Sequence, residues 1–437
     1  SLVAALPIGK FRQTLAISHD ASDGHWANSD FEVSNVFYEA GYQVNDRHEL
    51  RAMGGYTDRT FGANGFYTNA FPEQWESIQT ALAALSHKYQ IERFNVQTRA
   101  YWRSNWDEFR LRRFEPAFFT NNHQSQVRAL EVNAAYDSKW GTSGFGVEGR
   151  QEGIESNNLG VRNRSFLGVF AEHRVVFKEN CDLRAGLYSN YYNEYQWKHF
   201  PGAELGYQIN RYNRIYTNYG ASFRIPSFTD LYYEDRSNVS NPNLLPEEAQ
   251  NIEIGWKYGK SKLIGEFVLF NRTSKNLIDW NREPSTQQPN PNRWTPRNVS
   301  SVAFLGTELA IVYKPDFGSK SALLKELNLS YNYIKANLDQ AEGVESRYSL
   351  NSLKQQLIFG GQAEFFQKAE LTIKGRYLER MAMDPFFVLD SRLDFNRLKT
   401  YGLFVEVSNI TNTDYVEAGF VQMPGRWVKA GFMIRID

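Results

Sequence analysis

The sequence has a single cysteine, Cys181, in 437 residues. One thiol can neither close an intrachain disulfide nor build a cysteine metal site. No apolar run approaches the ~18 residues of a membrane-spanning helix. Charge of one sign is missing too, since Lys+Arg and Asp+Glu both number 49. A balanced chain offers no net field to nucleic acid or to a strongly charged partner. Helical periodicity is scarce, and there is no phosphate loop, no nucleophile–base spacing, and no ligand-like spacing around His123 or His173. These absences point away from a soluble enzyme. No secretory signal precedes the strand-like segment that starts at Ser1. Such signals are removed on maturation, so this is no argument for the cytoplasm.

Aromatic residues, by contrast, are abundant: 25 Tyr, 31 Phe and 10 Trp. A soluble domain would need a large core for so many rings, whereas a barrel in lipid spreads them over an apolar band and two girdles. Period-two alternation recurs along the chain. In 213–224, Ile215, Thr217, Tyr219, Ala221 and Phe223 share one face, opposite Arg214, Tyr216, Asn218, Ser222 and Arg224. Leu327, Leu329, Tyr331 and Tyr333 alternate with Asn328, Ser330 and Asn332. Further on, Leu389, Leu393 and Phe395 oppose Asp390, Arg392 and Asp394, three charges on one face. Lipid outside and a wet lumen inside satisfy both faces.

The connections separate a barrel from a solvated sandwich. About 21 strand-like segments can be counted, each near the ~10 residues that a tilted strand needs to cross a bilayer. Their linkers alternate in length. Short ones fall at 8–10, 45–47, 138–141, 210–212, 259–260 and 399–400. Long ones fall at 21–30, 60–74, 106–124, 225–247, 276–298, 338–353 and 411–425. Short periplasmic turns and long extracellular loops are the outer-membrane pattern. Tyr42, Tyr89, Tyr136, Tyr207, Tyr258 and Tyr313 recur near the short-turn end of successive strands, as one aromatic girdle would. If the last strand, 427–436, descends to the periplasm, then 1–7 descends as well. One upward strand is therefore expected before Ser1. The expected fold is an all-β, transmembrane, antiparallel up-and-down barrel of about 22 strands, the size of plugged transporters. A passive porin-type channel is the alternative from a different class.

The chain also resembles the TonB-dependent outer-membrane receptors. The resemblance rests on Ser222-Phe223-Arg224-Ile225-Pro226-Ser227-Phe228-Thr229-Asp230-Leu231-Tyr232-Tyr233, then Asn241-Pro242-Asn243-Leu244-Leu245-Pro246-Glu247-Glu248 and Asn251-Ile252-Glu253-Ile254-Gly255. Val407-Ser408-Asn409-Ile410-Thr411-Asn412, Tyr415 and Met423-Pro424-Gly425-Arg426 extend it into the tail. Within the family, Gly55–Thr60, Phe61–Tyr67 and Asn276-Leu277-Ile278-Asp279-Trp280 are most similar to the cobalamin receptor branch of Bacteroides-like bacteria. The resemblance implies a single barrel domain over 1–437, with an N-terminal plug and first strand lying outside this chain. It implies a bacterial outer-membrane transporter of Gram-negative cells, importing cobalamin or another corrinoid; a ferric-siderophore or haem importer is the alternative. Implied partners are the TonB–ExbB–ExbD energy-coupling complex, the lipid bilayer and lipopolysaccharide, a small-molecule ligand and a surface lipoprotein lid. Family members usually end in an aromatic residue, and this chain ends Ile436-Asp437.

No covalent chemistry is expected, so function should lie in the loops and the lumen wall. Rigid aromatics with a few polar groups suit a large ligand of mixed polarity. On that ground Asn64, Phe66 and Tyr67 are candidate contacts in one loop, and Trp280, Arg293 and Trp294 in another. Tyr232, Tyr233 and Asp235 are candidate contacts as well, although the motif preceding them is read as structural. Asp23 and Trp26, also candidate ligand contacts, belong to loop 21–30, where Asp20, Asp23 and Asp30 with backbone carbonyls could hold calcium by oxygen ligation. The loop is short and not densely acidic, and a plain solvated loop is the competing reading. Asp390, Arg392 and Asp394 could line a transport path or simply pair across the lumen.

Overall fold

Alternating sequence becomes an antiparallel ladder in which each long strand pairs with the next. The computed structural model describes residues 1–282, 293–315, 324–338, 345–347, 352–365, 369–381, 383–395, 401–417 and 419–434. Among them one sheet of 22 strands forms. One of these, Glu345–Ser346, is only two residues long and adds to the end of Leu263–Arg282, which leaves the expected 21 long strands. The series opens with Leu2–Ile8 against Phe11–Ser22 and closes with Tyr401–Ser408 against Trp427–Ile434. Neighbouring long strands run in opposite directions, so the first and last of an odd series run the same way. Among the described residues no pairing joins Leu2–Ile8 to Trp427–Ile434.

Strand length departs from the expectation of ~10 residues. Trp75–Ile91 and Phe94–Arg110 have 17 residues each, and Leu263–Arg282 has 20. The excess lies at the long-loop end, so segments read as loops are partly paired strand. Between Phe94–Arg110 and Thr120–Ser138 only 111–119 remain unpaired. Leu263–Arg282 runs through Asn276, which takes a φ of +55°, and keeps the same register with Thr295–Tyr313 on both sides of it. Linker sorting holds with exceptions. Connections 157–159 and 193–195 are short on the long-loop side, and 314–323 is long on the short-turn side. The linker 399–400 and the chain end at Ile436-Asp437 lie partly or wholly outside the described residues.

The two faces divide as a membrane barrel requires. Leu85, Leu130, Ile254, Leu269, Leu305 and Leu403 are exposed on one face, an apolar belt with nothing covering it. Register and the two-residue period put the six girdle tyrosines on that same face, with Tyr42 opposite Leu50 and Tyr207 opposite Ile215. The opposite face carries ion pairs, some along a strand and some across to the next. Arg99 meets Glu131 at 3.1 Å, and Arg150 sits between Glu148 at 3.0 Å and Glu152 at 2.7 Å. Arg392 pairs with Asp394 at 2.8 Å and with Glu406 on the next strand at 3.1 Å. Asp390 accepts the Asn409 backbone N–H at 2.8 Å. The charge ladder is therefore engaged in wall pairing. Buried apolar residues gather in two small clusters, Leu231–Leu244–Ile278 and Leu378–Phe386–Val388, both at the loop end.

Candidate ligand-binding mouth

Loop 225–246 is built on a capped helix turn. Ser227 Oγ accepts the Asp230 N–H at 3.1 Å, and the Asp230 carboxylate accepts the Ser227 N–H at 3.0 Å, a reciprocal capping box for Phe228–Tyr232. Asp230 also accepts the Trp280 indole N–H at 3.0 Å. Leu231 packs with Leu244 and Ile278, and the buried Arg164 donates to the Pro226 carbonyl at 3.2 Å. The motif is an anchor, as its sequence suggested. Trp280 belongs to that anchor, a correction to the loop position expected for it: it sits inside Leu263–Arg282 and is only 3% exposed. The strand keeps its register through Asn276 and so continues that far.

Loop 225–246 is then zipped to the next long connection. Asn238 and Trp294 form a parallel bridge, Trp294 N–H donates to the Ser237 carbonyl at 2.8 Å, and Val239 N–H donates to the Trp294 carbonyl at 2.8 Å. Asp235 shapes the turn by accepting the N–H groups of Ser237 at 2.6 Å and Asn238 at 2.7 Å. Arg293 donates to the backbone carbonyls of Asp235 and Asn238. Cations surround the rings. Arg347 lies 4.7 Å over Trp294 and 5.7 Å over Trp280, and Arg282 lies 4.8 Å over Trp294 while pairing with Glu345. Arg162 lies 4.0 Å over the Tyr232 ring. Tyr232, Tyr233, Asp235, Trp280, Arg293 and Trp294 thus converge on one assembly, although they come from two stretches of sequence.

Tyr233 carries the assembly across to the opposite stretch of wall. Its hydroxyl donates to Asp235 at 3.0 Å and accepts from the buried Asn121 amide at 3.2 Å. Asn121, Phe109 and Glu76 occupy one row of the sheet. Tyr67 reaches that row from loop 63–74: its ring is half exposed, yet its hydroxyl donates to Glu76 at 2.7 Å and the ring edge meets Phe109 at 4.9 Å. Glu76 is 6% exposed and shares a hydrogen bond with Asp107. Burial pushes both carboxyl groups above their ordinary range, and the neighbouring Asp107 charge raises Glu76 further. Burial against Glu76 raises the Tyr67 phenol as well, while burial lowers His123 two strands away.

Phe66 is fixed from another direction. Phe420 N–H donates to the Gly65 carbonyl at 2.8 Å, joining loop 63–74 to loop 409–426. Gly419, at φ +58°, approaches so closely that a Cβ there would lie 2.4 Å from the Phe66 carbonyl oxygen. Gly419→Ala should therefore part the two loops, raising amide exchange at 64–67 about tenfold while the barrel still migrates as a folded species. Unchanged exchange would refute this junction. Asn64 donates to the Ala27 carbonyl at 2.7 Å, supporting the neighbouring loop.

Asp23 and Trp26 are not drawn into the mouth. Both are exposed, with Trp26 at 59%. Asp30 is taken by Arg113, which donates to both carboxylate oxygens at 2.7 and 2.9 Å and holds the group below its usual range. Among the described residues no three His, Cys, Asp or Glu side chains gather as metal ligands. Glu76, Asp107, Asn121, Asp230 and Arg347 were not singled out from sequence as site residues. Each acts through cross-strand register or loop docking that local pattern does not encode, although the acid in the Ser227–Asp230 box is a readable capping signal.

Known proteins share this architecture. Residues 8–410 match the family model described as TonB dependent receptor-like, beta-barrel. A vitamin B12 transporter of Photobacterium profundum is 22% identical over 422 residues, 92% of this chain and 66% of that protein. A vitamin B12 transporter of Vibrio vulnificus is 28% identical over 181 residues, 37% of this chain and 25% of that one. The chain thus spans at most about two thirds of these relatives. The siderophore receptor PirA of Pseudomonas aeruginosa superposes with a TM-score of 0.77 at 12% identity, over 98% of this chain and 74% of that one. The Serratia marcescens hemophore receptor HasR, solved with its hemophore and heme, gives 0.78 at 16% identity, over 99% and 78%.

Proposed function

The chain belongs to the TonB-dependent receptor β-barrel family, and from that premise we propose that it is the barrel of an active importer for cobalamin or a related corrinoid. Barrels of this family sit in the outer membrane of Gram-negative bacteria, and the uncovered apolar belt and tyrosine girdle agree with that location. The reading is carried by the sequence relatives, which are named as vitamin B12 transporters along nearly the whole of this chain. The mouth supports it chemically. A corrinoid presents a broad ring fringed with amides and a phosphate. Half-exposed Tyr67 and Phe66 on one loop, and Trp294 with Arg347 and Arg282 over its ring on another, offer rings for stacking and cations for the phosphate. Import would be driven by the TonB–ExbB–ExbD complex acting on a plug inside the lumen. A ferric-siderophore or haem importer is the second reading, because fold neighbours include receptors named for those ligands.

Titration of the full-length protein with cyanocobalamin, a ferric catecholate and haem distinguishes these readings. Saturable cyanocobalamin binding is expected, weakened about tenfold by Trp294→Ala through loss of a stacking surface worth roughly 1–2 kcal/mol. Tight ferric-catecholate or haem binding without cobalamin binding would replace the corrinoid. Large ion conductance in planar bilayers would point instead to a passive channel.

A further inference from the structure

At the end of the barrel opposite the mouth, the short turns share one kind of charge. The turns at 9–10, 46–47, 92–93, 139–140, 178–180, 211–212 and 261–262 hold Lys10, Arg47, Arg93, Lys139, Lys178, Arg211 and Lys262, and Lys314 opens the connection 314–323. All eight cations are exposed, and the described residues of these turns add only three carboxylates, Asp46, Glu92 and Glu179. In a chain with 49 charges of each sign, this is segregation rather than composition. Lys314 pairs with Glu326 at 3.3 Å, and Lys10 donates to the Val44 carbonyl at 3.1 Å. Among the described residues, no carboxylate lies within ion-pair distance of Arg47, Arg93, Lys139, Lys178 or Arg211. Aromatic rings accompany them. Trp140 has its backbone fixed by Ser138 and His173, while its ring is 71% exposed and carries Lys139 at 5.1 Å. The Tyr212 ring has Arg211 at 4.5 Å and Lys260 at 5.4 Å.

We propose that this rim docks the barrel onto the cell-wall glycan of the periplasm, an amino-sugar polymer whose peptide stems carry free carboxylates. Depth separates this partner from the membrane itself. Arg47, Arg93, Lys139 and Arg211 come three to five residues beyond the girdle residues Tyr42, Tyr89, Tyr136 and Tyr207. At ~3.3 Å per residue and a tilt of ~45°, their backbone stands roughly 7–12 Å past the tyrosine row. One headgroup layer is only about 5–7 Å thick, so these tips reach periplasmic water. There the ammonium groups meet carboxylates as point charges and the guanidinium groups can take them bidentately. Trp140 adds a broad, rigid apolar face against which a sugar ring can lie. Each exposed ion pair is worth little alone, so binding depends on several turns engaging one polymer together. Cations spaced turn by turn around the barrel suit a polymer that repeats its carboxylates, not a compact partner with one acidic patch. The proposal depends on the membrane orientation and not on which solute is imported.

The test uses the full-length protein in phosphatidylcholine nanodiscs, sedimented with purified peptidoglycan sacculi at low and high salt. Wild type should sediment with the sacculi at low salt and be released as salt nears ~1 M, where screening is almost complete. Arg47→Gln, Arg93→Gln, Lys139→Gln and Arg211→Gln combined should weaken binding at least about tenfold, the summed effect of four small ion pairs. Trp140→Ala should weaken it several-fold while leaving the salt dependence unchanged. Should the fourfold variant not fold, sacculi with amidated carboxylates test the unaltered protein, and they should sediment no more of it than a control without sacculi. Absence of wild-type sedimentation, wild-type binding by either variant, or undiminished binding to amidated sacculi would overturn the proposal. Enrichment of phosphatidylglycerol around wild type in mixed-lipid nanodiscs, without sacculus binding, would assign the rim to the lipid instead.

Discussion

Asp230→Ala should detach loop 225–246 from the wall while leaving the barrel standing. The carboxylate accepts the Ser227 N–H and the Trp280 indole N–H, and Arg224 lies 3.6 Å away. Alanine leaves the buried Trp280 indole N–H and the part-buried Ser227 N–H without their acceptor, at ~1–3 kcal/mol each. A local loss of about 3 kcal/mol corresponds to roughly a hundredfold more frequent opening of the loop. Hydrogen exchange and limited proteolysis across 227–246 should both rise by that order, with unchanged heat-modifiable migration of the barrel. Asp230→Asn, which retains an acceptor oxygen, should recover part of the protection. Exchange no faster than in wild type would show that the Leu231–Leu244–Ile278 cluster alone holds the loop.

Rising pH should loosen the attachment of loop 63–74. Glu76 and Asp107 both have folded-state pKa values raised mainly by burial, so the folded protein holds protons that the unfolded chain has released. Stability therefore falls as pH climbs from the ordinary carboxyl range through the raised values, and it is greatest on the acid side of that window. Each unit by which the proton is held later amounts to ~1.4 kcal/mol. The contact that reports this is Tyr67 Oη donating to Glu76 at 2.7 Å. Exchange protection of 64–74, corrected for intrinsic rates, should decline in the wild type as pH rises above the ordinary carboxyl range, because both shifts are upward. In Glu76→Gln the decline should be shallower, leaving only the share that Asp107 carries, because the amide still accepts from Tyr67 and donates to Asp107 without ionising. The same slope in the variant as in the wild type would assign the effect to Asp107 alone.

What sequence could and could not convey follows from the range of the interactions. Alternation such as Leu389, Leu393 and Phe395 against Asp390, Arg392 and Asp394 records each residue's face locally, so the barrel, its two faces and the strand number were legible. Strand ends were not. The passage from Asn276 to Trp280 looks like loop because it opens on Asn and interrupts the alternation. In the structure Asn276 takes a left-handed conformation that asparagine tolerates, and the strand keeps its register on either side of it. That continuation of the strand decides whether Trp280 faces a ligand or anchors a helix. Gathering Tyr233 beside Asn121, or Tyr67 beside Glu76, depends on loops folding back over strands more than a hundred and only nine positions away respectively. No periodicity encodes either.

The overlong strands have a mechanical consequence. A 20-residue strand such as Leu263–Arg282, tilted ~45°, rises roughly 45 Å, against a hydrocarbon core of ~30 Å. The extra ~15 Å stands above the lipid as a collar in which backbone hydrogen bonds tie each long strand to its neighbour. Neighbouring strands of such a collar cannot part without breaking whole ladders at once, so its width there resists the thickness and tension of the surrounding membrane. Any valve action must then come from the loops lashed across its rim or from something sliding inside it, and a pulling force applied from below would move cargo through the aperture without stretching it.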